Sequence, residues 1–121
     1  LNLGDIDGAE EAYRAGAASD PTRAENWLGL ATAAVMRGQP QAALDAYNEV
    51  LARRPRFAPA ELGRAWALGK LGRADDAMHA LDRAAELGAA ANNVARQRAM
   101  LIAPTGSGRT DKSGIGAVPG Q

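Results

Sequence analysis

Small and large apolar residues return at fixed places along this chain when it is laid against itself with an offset of 34 residues. Ala9, Ala43 and Ala77 fall in one column, Tyr13, Tyr47 and Leu81 in a second, and Ala31, Ala65 and Ala99 in a third. Gly16 aligns with Val50 and Ala84, Gly4 with Gly38 and Gly72, and Pro21 with Pro55. A helix that must stop and reverse does so through a residue that tolerates a left-handed conformation, so the glycine column marks turns. Proline lacks an amide donor and disfavours helix at the residue before it, so Pro21 and Pro55 close the helices that precede them. The pattern predicts helices over roughly 7–19, 23–37, 40–54, 58–71, 74–87 and 91–103, with residues 1–3 as the stub of a severed helix. Ala31 and Ala43, on facing helices of one unit, let two backbones approach closely while Tyr47 fills the space beside them.

The unit over 24–57 carries Trp27, Leu30, Ala31, Gly38, Ala43, Tyr47 and Pro55, and it resembles the tetratricopeptide repeat, with its pattern W-x2-L-G…A-x3-F…P. The resemblance extends over 1–103. It implies an all-α, right-handed superhelical solenoid of antiparallel helix pairs, about two and a half repeats plus a capping helix. The expected parts are a partial repeat at 1–23, repeats at 24–57 and 58–91, and a cap at 92–103 made polar by Arg96, Gln97 and Arg98. Glu61 and Arg64 depart from the bulky and leucine-type residues of the pattern and put the packing angle of the helix at 58–71 in question; Ala89 stands in place of the closing proline. The Gly- and Ser-rich residues 104–121 read as a flexible tail.

Composition narrows the function classes. The 121 residues include 46% hydrophobic ones, enough for a single structural unit, yet only five aromatics, which favours close helices over a sandwich of strands. Acidic and basic residues balance at net charge zero and are interleaved, so nothing draws the chain to nucleic acid or to an anionic membrane. No run approaches the roughly 20 apolar residues of a membrane span. The absence of cysteine removes disulfides and thiolate zinc sites but leaves both the cytoplasm and the bacterial periplasm or envelope open. Because the chain opens within a repeat, a signal or a further domain upstream is compatible with it, and the severed N-terminal end is a candidate surface for self-association.

Few residues suggest chemistry. The run 106–113 approaches the phosphate-loop pattern G-x-x-x-x-G-K-[ST], but Asp111 stands where the second glycine belongs and no strand precedes it, so it reads as linker. His79, beside Asp75, Asp76 and Asp82, reads as part of a solvated helix face. Glu10-Glu11 and Asp75-Asp76 read as helix-start acids, and Arg53, Arg54 and Arg56 as helix-end cations. No catalytic residue, metal site or cofactor is expected.

On a helical wheel, Leu62, Trp66 and Gly69 form a stripe turned away from Ala65 and Leu68, and the stripe recurs as Leu28, Thr32 and Val35 and as Arg96, Met100 and Ala103. In the family these first-helix columns line the concave groove. The resemblance therefore implies a non-enzymatic scaffold that binds a protein or peptide ligand through Leu28, Thr32, Val35, Met36, Leu62, Trp66 and Met100, with Lys70 and Arg96 as a basic margin. Trp27 is expected in the core; Trp66 is either a groove anchor or part of the core between repeats. The places that grip chaperone C-termini in some family members hold Leu28, Gly29, Thr32, Pro59 and Gly63, which argues against that ligand. The run 89–101, AAANNVARQRAML, is similar to the ends of some bacterial pilus-assembly and secretion proteins of this class. The competing function is a regulatory or docking arm of an enzyme whose catalytic domain lies upstream.

Overall fold

The computed structural model describes residues 3–102. They form α1 (Leu3–Ser19), α2 (Ala24–Met36), α3 (Pro40–Arg53), α4 (Ala58–Lys70), α5 (Ala74–Glu86) and α6 (Ala91–Ile102), with no strand among the described residues. The last five helices fall within a residue of the expected boundaries at their described ends. The first does not. It runs through Gly4 without a turn, because a left-handed glycine is needed only where one helix reverses out of another, and among the described residues no helix precedes α1. Glu10 and Glu11 consequently lie mid-helix and not at a helix start; Glu10 pairs instead with Arg14 at 3.0 Å and with Arg37 of the α2–α3 turn at 3.1 Å.

Gly38 and Gly72 take φ of 68° and 80° and close α2 and α4. In each case the amide two residues beyond the helix cap reaches back five residues, Gln39 to Ala34 at 2.9 Å and Arg73 to Leu68 at 2.8 Å. Gly88, at φ 96°, does the same for α5, with Ala89 donating to Ala84 at 2.9 Å. That glycine supplies the stop that the missing proline at position 89 would have provided.

Each helix packs on its chain neighbours. In addition α2, α4 and α6 touch one another in sequence, whereas α1, α3 and α5 do not. A stack bends toward its closer layer, so α2, α4 and α6 form the inner face. The core between the layers consists mostly of alanines, including Ala31, Ala43, Ala65 and Ala77, around the fully buried Leu68, Leu81 and Val50. Burying each of these three larger side chains contributes about 1.5–3 kcal/mol.

Glu61 is the one charged residue buried among those described, 3% exposed. Its carboxylate accepts from Arg64 at 3.2 Å and from Arg83 of α5 at 3.0 Å, and Arg64 in turn donates to Asn48 of α3 at 2.8 Å. A buried carboxylate is tolerated only when paired. With that pairing α4 sits between α3 and α5 as α2 sits between α1 and α3, despite the departure at positions 61 and 64.

Candidate functional site

Two depressions open on the inner layer. The first, about 370 Å³, lies between Ile6, Ala9 and Tyr13 of α1 and Leu28, Thr32 and Met36 of α2. Its floor exists because Gly29 has no side chain: a β-carbon there would clash with the Tyr13 ring, and the same relation recurs one unit on, where Gly63 lies under Tyr47. Glu25 stands at the rim. The hydrogen bond from its own backbone amide, and after it Arg54 and Arg23, hold its carboxyl below the usual carboxylate range.

The second depression, about 300 Å³, joins Trp66, Gly69 and Lys70 of α4 to Gln97, Met100 and Leu101 of α6. Trp66 is half-buried: one part packs on the core and another lines this depression. Lys70 and Met100 are exposed beside it.

Of the residues expected in the groove, Leu28, Thr32 and Met36 line the first depression and Trp66, Lys70 and Met100 the second. Val35 and Leu62 are half-buried against the core, and Arg96 is exposed and lines neither. Gln97 and Leu101 were not in the stripe of first-helix columns. The signal that finds them is the next helical row along α6, which faces α4 when two first helices lie side by side.

Trp27, expected in the core, packs against it from the margin: it is half-buried, with the Arg53 guanidinium 4.8 Å over its ring and its Nε1 donating to the Pro21 carbonyl at 2.9 Å. An indole N–H needs an acceptor, and the one available lies at the helix edge, which holds the ring at the margin. Trp27 lines an outer depression of about 290 Å³ with Leu30, Asp45 and Glu49. Arg53 is also paired with Glu49 at 2.8 Å, and Arg54 with Glu25 at 2.7 Å. His79 is exposed on α5; Asp76 pairs with Arg73 and Asp82 with Arg98. Among the described residues no three metal-capable side chains converge. The Asp111 run lies outside the described residues, as does Ala103.

Burial of the Tyr47 phenol raises its pKa above the ordinary value of about 10. The hydroxyl and amide of Thr22 lower that of Asp20 in the α1–α2 turn. Neither group faces an inner depression.

Stacked helix pairs and glycine stops of one geometry define a helical-repeat array. Models of the tetratricopeptide repeat match residues 1–59 and 34–101, the latter more than half of the chain, and the chain belongs to that family. No curated protein matches it. Such repeats suggest a scaffold for protein–protein interaction, and proteins built from them are generally non-catalytic. No described helix is long and apolar enough to cross a membrane.

Proposed function

We propose that the inner face of α2, α4 and α6 holds a short extended segment of a partner protein, with Trp66 as the apolar anchor. The observation that carries this reading is the depression at the α4–α6 junction, where a half-buried tryptophan, Met100 and Leu101 form an apolar seat with Lys70 at its edge. Tryptophan is among the residue types enriched where a few side chains carry most of an interface's binding energy. Gln97 offers both a donor and an acceptor to the backbone of the segment. Leu62, Val35, Leu28, Thr32 and Met36 continue the surface toward α1. Neighbouring helix axes lie about 8–10 Å apart, so the path from α6 to α2 is about 16–20 Å, or about five or six extended residues.

Charge gives the segment a direction. Lys70, with Arg96 beyond it, makes the α4–α6 end basic. The ligand therefore carries a large apolar residue next to an acidic one at the Trp66 end. A place in bacterial pilus or secretion assembly is supported by the run 89–101 alone, and that run forms the α6 wall of the seat.

The test is selection of displayed peptides on the 121-residue chain, followed by Trp66→Ala. The variant keeps its helical circular dichroism and melting curve but loses about 2 kcal/mol of affinity, roughly thirtyfold. A folded variant that binds the selected peptides as tightly as the parent contradicts the anchor role. So does a variant that no longer folds, because it makes Trp66 a core residue.

A further inference from the structure

The chain holds three methionines and no cysteine, so every oxidisable sulfur in it is a thioether. Two of the three lie on the inner face. Met36, 47% exposed, lines the first depression, and Met100, 59% exposed, lines the second beside Trp66. Met78 lies on α5, in the opposite layer, half-buried against the core. The exposure of the first two follows the repeat columns. Lys70, one repeat on from Met36, is exposed although α4 has a first helix on either side, and Trp66, one repeat before Met100, opens on the same depression. Both thioethers therefore stand where a bound segment passes, and both are open to small oxidants.

Building on the peptide-binding reading, we propose that Met36 and Met100 are oxidation sites through which hydrogen peroxide lowers the affinity of the inner face for its ligand. A sulfur lone pair attacks one peroxide oxygen, the O–O bond breaks as the S–O bond forms, and the remaining oxygen leaves as water. Sulfur is oxidised by two electrons and the peroxide is reduced by two. A thioether is a flexible apolar group, whereas its sulfoxide is polar and accepts hydrogen bonds. At Met100 that acceptor arises in a depression whose other polar lining residues, Lys70 and Gln97, both carry donors. An oxidised Met100 thus competes for the ammonium that meets the ligand's acidic residue, and it removes apolar surface next to Trp66. At Met36 the sulfoxide arises in a depression walled by Ile6, Ala9 and Leu28, where a ligand must strip its water at a cost. The fold is spared, because neither side chain belongs to the core and Met78, which packs on it, is shielded. Reduction of the two sulfoxides restores the face.

The experiment treats the 121-residue chain with hydrogen peroxide and follows each methionine by peptide-mapping mass spectrometry. Affinity for the display-selected peptides is measured before treatment and again after the peroxide is removed. Met36 and Met100 gain oxygen ahead of Met78, helical circular dichroism is unchanged, and affinity falls about tenfold. Methionine sulfoxide reductases bring the affinity back. A Met36→Leu/Met100→Leu protein, compared with its own untreated form, binds equally before and after peroxide. A parent oxidised at both positions that binds as tightly as before overturns the proposal while leaving the peptide-binding reading in place. So does a Met78 that reacts as fast as the other two, a loss of helicity on oxidation, or a double variant that peroxide still weakens. A parent that binds no displayed peptide even before treatment removes the peptide-binding reading, and the oxidation proposal with it.

Discussion

At the scale of single residues, the repeat is held by absences of side chains as much as by their presence. Gly29 and Gly63 each lie under the ring of a tyrosine from the preceding helix, and a β-carbon at either would clash with that ring. The two sites are not equivalent, because Tyr47 is buried and Tyr13 is free to swing toward solvent. Gly63→Ala is therefore expected to cost about 1–3 kcal/mol, the usual cost of overpacking, and Gly29→Ala distinctly less. Equal losses in urea-unfolding experiments would contradict this account of the tyrosine columns. In the sequence both glycines stand out only as positions where a chaperone-binding side chain is missing, since a column of two glycines does not announce what lies over it. Glu61 was visible as a departure from the repeat pattern, but its partner Arg83 lies on another helix and no spacing rule connects them. For Trp27 the pattern marks that an aromatic ring packs on the core, whereas the Pro21 carbonyl and Arg53 decide how deep it goes.

Among the helices, the elements and their order were legible because they are written in local chemistry. Gly38, Gly72, Pro21 and Pro55 punctuate the chain, and the helices between them follow from small and large apolar columns. One misreading has a physical cause: Gly4 shares a column with the turn glycines but has no preceding described helix to reverse. The end of α5, expected near 87 without a closing proline, is made by Gly88. Because Gly88 holds φ at 96°, Gly88→Ala places an L side chain in strained backbone and should lower stability by about 1–2 kcal/mol. Ala89→Pro should not restore it, since proline removes the amide that donates to Ala84. Thermal melts of the two variants check the assignment; a Gly88→Ala protein as stable as the parent would show that the stop does not depend on left-handed backbone.

At the scale of the whole molecule, stability and function both come from stacking. Each helix pair buries its alanine columns only against its neighbours, and the same stacking lays α2, α4 and α6 side by side to make the inner face. The position of that face was legible in the sequence as a stripe repeating through Leu28, Leu62, Trp66 and Met100. The division into two depressions was not, because it depends on which side chains of adjacent helices leave space between them. The central claim is that a partner segment lies along this face, and the most direct measurement is the map of backbone amide shifts in NMR spectra when a selected peptide is added. The account predicts that the shifted amides cluster at Thr32, Met36, Trp66, Lys70, Gln97 and Met100, on α2, α4 and α6. Shifts clustered at Asp45, Glu49, Asp75 and His79, on the opposite layer, would contradict it.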